Sequence, residues 1–380
     1  MLIQIHILQN YAPSNLNRDD TGAPKDAIFG GKRRGRISSQ CLKRSIRRSE
    51  AFQKAFADSG LLGIRTKSLP SLIEEELRKL GASDVSVQDI VARLAEIGRE
   101  SKKGKEEEVE EEASNNETPA SKESKQLIFI GRDELKPMAS TLYKLYQNLG
   151  STKWKKTKID EITRELGSSL PRSVDIAMFG RMTTSGAFED VEAAVQVAHA
   201  ISTNALSEEF DYYTAIDDLP TQAGAGMIGD VEYNSSTYYK YLNIHWEGLV
   251  SNLGGDWQIA RQAVLALLEA AMTAQPSGKQ NSFAAFNLPD LVLVEVSERN
   301  LPVNYANAFL KPTSPAGNLS LMEASIHQLS EYIEKISTAY QLSPQRACLS
   351  VVGDGIKAAV SIPTSSELQK WLELALPAMG

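Results

Sequence analysis

The segment Lys25–Ser49, KDAIFGGKRRGRISSQCLKRSIRRS, sets the tightest limit on how this chain can fold. Between Lys25 and Arg48 it carries nine basic residues (Lys25, Lys32, Arg33, Arg34, Arg36, Lys43, Arg44, Arg47 and Arg48) and one acid, Asp26, a local +8. Like charge at that density cannot be taken out of water without partners, so the segment's few apolar residues must form a narrow inward edge. From Ser38 or Ser39, either one an N-cap, Leu42, Ile46, Phe52 and Phe56 fall on one side of a 3.6-residue helix. Lys43, Arg44, Arg47 and Arg48 point largely away from them. Such a helix packs on a sheet and still faces phosphates. Gly30 and Gly31 permit close backbone approach, Ser38 and Ser39 offer hydroxyl donors, and the helix N-terminus favours an anion. Cations spaced by three and four residues track a phosphate backbone without reading bases. The same row also suits a plain solvated face, but its concentration beside a structured turn favours a polyanion.

Upstream, Ile3, Ile5 and Ile7 alternate with Gln4 and His6, the period-two pattern of a half-buried strand. A long loop is expected from about Gln9 to Ile37. Leu61–Gly167 changes character: amphipathic helical stretches at Ser71–Leu80, Val87–Arg99 and Asp133–Leu149 surround a Lys/Glu/Ser/Asn segment, Ser101–Lys125. That segment has almost nothing apolar to bury and is expected to be flexible. Strand patterns resume at Val174–Phe179 and Val195–Ile201, and another covers Thr237–Trp246, after a Gly- and Asp-bearing excursion. With a helix near Trp257–Ala274 and a strand at Leu291–Val296, the order approximates β-α-β-β-α-β with one strand beyond the minimum, the ferredoxin-like arrangement. A helix at Leu319–Tyr340, a strand at Ala347–Val352 and a helix at Ser365–Leu376 follow. That scaffold is shared with RNA-recognition motifs, yet their aromatic signature is missing here, so RNA binding would use loops and the basic helix.

At 380 residues the chain can bury a full core in two domains or in one domain with large insertions. Its longest apolar runs, such as Leu127–Ile130 and Leu291–Val294, fall short of a bilayer span, and the N-terminus lacks signal-peptide order, which points to the cytoplasm. Cys41 and Cys348 are too few for a disulfide framework and lack zinc spacing. The net charge of −7 argues against a polyanion only until position is considered, because residues 106–112 hold six glutamates and one valine, well apart from the cationic segment.

GAGMIG, with Gly224, Gly226 and Gly229, matches the dinucleotide fingerprint, but its flanks read as loop and strand, not strand and helix, so a tight hairpin is the better expectation. No Walker motif exists, since Gly278–Lys279 is followed by Gln280. Glu208, Glu209, Asp211, Asp217 and Asp218 would suit Mg²⁺-dependent phosphodiester cleavage, or simply solvate a protruding loop. His6, His199, His245 and His327 are scattered and form no nucleophile–base grouping. Nothing in the sequence demands catalysis, a cofactor or a metal. Met182, Tyr212, Tyr213 and Thr214 are the residues suited to wedge against bases, although core packing also explains them. Lys153, Lys155, Lys156 and Lys158 around Trp154 make a second basic patch, facing either DNA or solvent.

Seven blocks in order carry a family resemblance: SNLNRDD (Ser14–Asp20), the Lys25–Ser49 segment, VDIAMFGRM (Val174–Met182), QVAHAIS (Gln196–Ser202), DYYTAIDDL (Asp211–Leu219), AGAGMIGDVEY (Ala223–Tyr233) and SGKQNSFAAFNLPDLVLVEV (Ser277–Val296). The chain resembles the CasC-type backbone subunits of type I-E CRISPR Cascade complexes. The resemblance implies an α+β fold with a ferredoxin-like, RRM-type palm (1–60, 171–202 and 237–380), a large helical fingers insertion (61–170, with its flexible acidic part at 101–125) and a β-hairpin thumb (203–236). It implies a non-catalytic subunit that lines CRISPR RNA in several head-to-tail copies and presents the spacer for pairing with target DNA. Its further partners are then the large, small, guide-end-capping and guide-processing subunits, with no membrane. Carried onto the matching positions, Lys25, Lys32, Ser38, Gln40, Lys43, Arg44 and Arg47 hold guide phosphates, with Arg18 and Lys279 nearby. Met182, Tyr213 and Thr214 wedge the strand so that a base is displaced at intervals. The competing expectations are a metal-dependent endonuclease built on the acidic residues above and a dinucleotide enzyme.

Overall fold

A computed structural model describes residues 1–57, 59–95, 124, 127–158, 161, 162, 166, 173–182, 188, 190–216, 225–315 and 317–377. Most of the acidic stretch 101–125 and both Asp217 and Asp218 lie outside them. The fold is mixed α+β. In chain order the elements are β1 (Leu2–Ser14), β2 (Asp26–Phe29), β3 (Lys32–Ile37), α1 (Ser39–Arg48), α2 (Glu50–Ala55), β4 (Gly63–Thr66), α3 (Leu69–Lys79), α4 (Asp84–Leu94), β5 (Ile128–Gly131), α5 (Arg132–Lys156) and α6 (Val174–Phe179). There follow β6 (Val195–Val197), β7 (Ala200–Ser202), β8 (Glu209–Ile216), β9 (Ala225–His245), α7 (Trp246–Asn252), α8 (Trp257–Thr273), α9 (Gln280–Phe283), β10 (Leu291–Ser297), a 3-10 turn (Tyr305–Phe309), α10 (Leu321–Tyr340), β11 (Gln345–Ser350), β12 (Val360–Ile362) and α11 (Ser365–Ala375). Two compact units result, one from Met1–Ala55, Val195–Leu249 and Trp257–Gly380, the other from Phe56–Ala194 and Val250–Asp256.

The first unit is organised around β1, which is paired on both sides. Ile3, Ile5 and Ile7 stand opposite Val296, Val294 and Val292 of antiparallel β10, and opposite Ile244, Leu242 and Lys240 of antiparallel β9. The sheet runs β12-β11-β10-β1-β9-β7-β3-β2, with β6 and β8 also paired to β9. A strand so placed is covered on both faces, so the expected half-buried strand is corrected: Gln4 is 3% and His6 0% exposed. The polar face is satisfied internally. Gln4 Oε1 accepts from Tyr241 Oη at 2.6 Å and from the Val303 amide at 2.8 Å. His6 Nδ1 meets Tyr239 Oη at 2.8 Å, and Nε2 lies 3.3 Å from Glu295 Oε2. Tyr305 Oη donates to Glu295 at 3.0 Å, and Arg346 Nε approaches the same carboxylate. Around this layer Leu8, Leu291, Leu293, Tyr239 and Phe309 pack with Met322, Ile326, Leu329 and Ile333 of α10.

Other sequence expectations are also revised. No loop spans Gln9–Ile37, because β1 continues to Ser14 along β9, and β2 and β3 form a hairpin turned at Gly30 and Gly31, whose φ of 59° and 73° suit a two-residue primed turn. One helix through Phe56 becomes two, because the Ser49 hydroxyl donates to Ile46 O at 2.8 Å and accepts from the Phe52 amide at 3.2 Å, ending α1 and starting α2. Val174–Phe179 is a helix, not a strand: all six side chains are buried, which erases any periodicity, and Gly180 closes it at φ 78°. Val195–Ile201 is split into β6 and β7, since the register against β9 moves by one residue between Val197↔Leu242 and Ile201↔Tyr239.

The second unit has its own core, in which Leu69, Ile73, Leu77, Ile90, Leu142 and Trp154 meet among α3, α4 and α5. It also contains a pair of short antiparallel strands, β4 and β5, too brief at four residues each to show a period in the sequence. Among the described residues, no helix is long and apolar enough to cross a membrane.

Glu295 gives a test of the first unit's polar layer. Burial pushes its carboxyl upward, but the His6 hydrogen bond and the charges of His6 and Arg346 outweigh this and hold it below the ordinary carboxylate value. That contribution is present above the unfolded value and lost as pH falls through the folded one. Arg346→Leu leaves the carboxylate without its guanidinium, so denaturant unfolding should register a loss of about 3–5 kcal/mol at neutral pH. A loss below about 1 kcal/mol would mean that Arg346 does not hold the layer together.

Candidate nucleic-acid interface

The cationic segment is not presented as one surface. Arg34 is fully buried: its guanidinium donates to the Ser202, Thr203 and Phe309 carbonyls at 2.9, 2.7 and 2.6 Å. It is a tether between β3 and the 3-10 turn. Arg33 bridges Asp26 and Glu208. Arg36 donates from Nε to Asp26 O at 2.9 Å and lies 3.3 Å from His199 Nδ1. Partial burial, then the charges of Arg36 and Lys25, lower the His199 pKa. The uniform local +8 read from sequence is therefore divided, and β3 spends its arginines on structure.

The segment's other cations include those of α1. Ser38 is the N-cap, in extended backbone, and its hydroxyl accepts from the Cys41 amide at 3.3 Å. Its own amide donates to Asn17 Oδ1 at 2.8 Å, so the helix start is tied to the preceding loop. Leu42 and Ile46 are buried, Lys43 and Arg47 are half-buried, and Gln40, Arg44 and Arg48 are exposed. Lys43 and Arg47 share one helix row and Arg44 and Arg48 the next. The first turn of α1 carries no acid.

Two loops flank it. In the first, Asp19 Oδ1 accepts from the Thr21 amide, the Thr21 hydroxyl and the Ala23 amide, and the hydroxyl bond foremost lowers the Asp19 pKa. Arg18, exposed on this loop, pairs through its backbone with Pro24. Asn15 Nδ2 donates to Gly22 O and Glu232 O, both at 2.9 Å, fixing the loop to β9. The second loop carries Lys279 in left-handed backbone. Here Gly278 is required, because a Cβ at that position would lie 2.3 Å from Leu16 O. Arg18, Lys25, Lys32, Ser38, Gln40, Lys43, Arg44, Arg47 and Lys279 thus all sit in the first unit, on the β2–β3 hairpin, α1 and these loops. Asn15 and Asn17, which lock the arrangement, lie inside the SNLNRDD block but carry no local signal of that role, since an asparagine's work as a loop tie depends on groups distant in sequence.

Tyr213 and Thr214 lie on β8, in the ribbon that β8 forms with β9, and as adjacent strand residues they face opposite sides. The Tyr213 ring lies over Gly229, where an added Cβ would be 2.6 Å from its hydroxyl. Gly226 and Gly229 stand in antiparallel β9, which continues as strand, so they build no phosphate-binding turn into a helix. Glu208 is held by Arg33, and Glu209 accepts from Tyr233 Oη at 3.0 Å. Among the described residues, no cluster of three or more His, Cys, Asp or Glu side chains could hold a metal ion.

Met182 belongs to the second unit and is 87% exposed, yet it follows a rigid mount. Gly180 has positive φ with Val191 O 2.9 Å from its would-be Cβ, and Arg181 is buried with Nη1 at 3.0 and 2.8 Å from the Glu134 carboxylate. Lys153, Lys155, Lys156 and Lys158 are exposed at and beyond the last turn of α5; Lys155 pairs with Asp89 at 2.9 Å, while Trp154 is buried.

Comparison with known proteins matches residues 3–373 to the family model described as CT1975-like protein. No curated protein matches. A solved chain from a "CRISPR RNA-guided surveillance complex, pre-nicking" is 28% identical with a TM-score of 0.79, the match covering 99% of this chain and 100% of that one. A chain of another "CRISPR RNA-guided surveillance complex", 24% identical with a TM-score of 0.61 and 99% coverage of both chains, shares the fold.

The hairpin glycines differ in a measurable way. A Cβ at Gly30 would lie 1.8 Å from Leu310 O, whereas one at Gly31 meets nothing within 4 Å. Gly31→Ala should cost only the left-handed backbone strain, about 1–2 kcal/mol. Gly30→Ala should cost clearly more in thermal unfolding; equal losses would show that the hairpin does not rest on Leu310.

Proposed function

The chain belongs to the CT1975-like protein family, and from that premise we propose that it is the guide-RNA-binding backbone subunit of a Cascade-type CRISPR surveillance complex, of the CasC type found in type I-E systems. The observation that carries this reading is the cationic start of α1: a helix with an acid-free first turn, capped by Ser38 and flanked by the Arg18 and Lys279 loops, in a chain alike end to end with a subunit of an RNA-guided complex. Helix N-terminus and lysine and arginine rows together suit a sugar-phosphate chain.

On this reading the subunit is not an enzyme. Protein grips the phosphates and base pairing supplies sequence information, the division of labour of RNA-guided recognition. The neighbouring strands β10, β1, β9 and β7, with α1 and α8 in the crossovers, support a ferredoxin-like palm formed by 1–60, 171–202 and 237–380. Residues 61–170 act as fingers and 203–236 as thumb. Copies join head to tail along CRISPR RNA, a heterologous contact that extends instead of closing. Met182, Tyr213 and Thr214 displace a base at intervals, and the spacer so held pairs with target DNA in the cytoplasm. Lys153, Lys155, Lys156 and Lys158, at and beyond the end of α5, contact that DNA. Large, small, guide-capping and guide-processing subunits complete the assembly.

The test is binding of single-stranded RNA as a function of salt. Lys43→Ala with Arg47→Ala should weaken binding by about tenfold per residue. The slope of log K against log salt should shrink by about 0.7 for each phosphate that the variant no longer neutralises. An unchanged slope with a folded protein would exclude α1 as the phosphate-tracking element.

A further inference from the structure

Near Cys41 of α1 the sheet buries a lysine. Lys240 occupies a β9 position opposite Ile7 of β1 and is 3% exposed. Its ammonium donates to Gln9 Oε1 and, at 3.0 Å, to Tyr11 Oη, and lies 5.3 Å from the centre of the Tyr11 ring. Among the described residues it has no carboxylate partner, although an unpaired buried charge is among the costlier things a fold can keep. Its titratable surroundings are Tyr11 from β1, Tyr238 from β9, and Cys41 and Arg44 from α1, with Lys25 acting on Cys41. None of these supplies a resident anion at neutral pH.

The neighbours of Lys240 lead to the proposed guide site. Tyr11 Oη donates to Gln275 Oε1 at 2.7 Å, and Gln9 Nε2 donates to Gln275 Oε1 and to Asn287 O. Gln275 Nε2 also donates to Asn287 O at 2.7 Å, and Asn287 Oδ1 accepts from the Ala12 amide at 3.2 Å. Gln275 and Asn287 therefore clamp the two ends of the loop that carries Lys279. The charge of Lys240 fixes the Gln9 and Tyr11 side chains that this clamp grips, and it lies near Cys41 of the helix that bears Lys43 and Arg47.

We propose that Lys240 is a positioning residue for the guide, an internal cation whose counter-charge is the bound nucleic acid, so that gripping the guide is coupled to protonation of Lys240 and to setting of the Gln275–Asn287 clamp. The inference rests on the RNA-binding reading above. Burial lowers the Lys240 pKa to about 7, which puts its proton within reach of a change in nearby charge at neutral pH. A bound polyanion favours the charged form, and binding takes up a proton. The sign follows: affinity is highest below pH 7 and falls as pH rises, by about tenfold for each unit by which binding raises the pKa.

Oligoadenylate, which does not titrate between pH 6 and 9, is the probe. Calorimetry in buffers of differing ionisation enthalpy should detect net proton uptake on binding near pH 7.5, and affinity should decline from pH 6.5 to 9. Lys240→Arg, charged throughout, should bind with both effects diminished, and a merely structural role for Lys240 would leave them in place. Lys240→Met, if folded, should bind weakly at every pH. Binding without proton uptake in the wild-type protein, or uptake unchanged in Lys240→Arg, overturns the inference and leaves the RNA-binding reading intact. Absence of oligoadenylate binding at any pH overturns both.

Discussion

Strand β1 is bonded on both edges and covered on both faces, and the rest of the first unit is arranged to make that possible. Its register against β9 and β10 aligns Ile3, Ile5 and Ile7 with aliphatic partners for most of its length. A slip of one residue would exchange that face with the one carrying Gln4 and His6. The second face is therefore not a defect in the pattern but a sealed polar layer, closed by Glu295, Arg346 and three tyrosines. Such a layer is unforgiving, because each member would be a buried unsatisfied group without the others. It specifies the register as strongly as the apolar face does.

The same logic governs the cationic segment. A hairpin leaning on the 3-10 turn needs a tether, and Arg34 supplies it with donors to carbonyls that would otherwise lack partners in the interior. Arg33 is neutralised locally by Asp26 and Glu208. The helix cations stand on a platform whose backbone is fixed by Asn15, Asn17 and Ser38. On the proposed reading, a polyanion meeting cations on a fixed backbone costs less conformational entropy on the protein side than one meeting a mobile basic tail.

Much of this is legible in the sequence where a single rule decides the outcome. The Ser38 cap, the apolar edge of α1, and the helices near Trp257, Leu319 and Ser365 follow from spacing and end signals. One recurring cause of the misses is that burial on all sides removes the periodicity on which such reading depends. VDIAMF is uniformly apolar but for Asp175, and that aspartate is itself buried with the Gly63 amide at 2.8 Å, so helix and strand look alike. The burial of Gln4, Gln9 and Lys240 leaves no mark in the sequence, because their partners lie more than 200 residues away. The glycines of the turn at Gly30 and Gly31 suggest freedom to approach a ligand, whereas Gly30 in fact approaches the chain's own Leu310. For the cationic segment, sequence identifies the helix and its cations, but it cannot show that Arg34 is spent on the interior.

The proposed binding of a polyanion by a chain of net charge −7 is opposed by the chain's own field only if that field reaches the site. At physiological ionic strength charges in water are screened over about 8 Å. The six glutamates of residues 106–112 are separated in sequence from the cationic segment, which belongs to the first unit. What the ligand feels is set by the nearest side chains and by whatever is buried in low dielectric just behind them, where screening is weak. Lys240 is in that second position, shielded from salt and without a carboxylate partner among the described residues. On the proposed reading it contributes more per charge to the field at the site than a surface lysine does, and a bound polyanion favours its charged form.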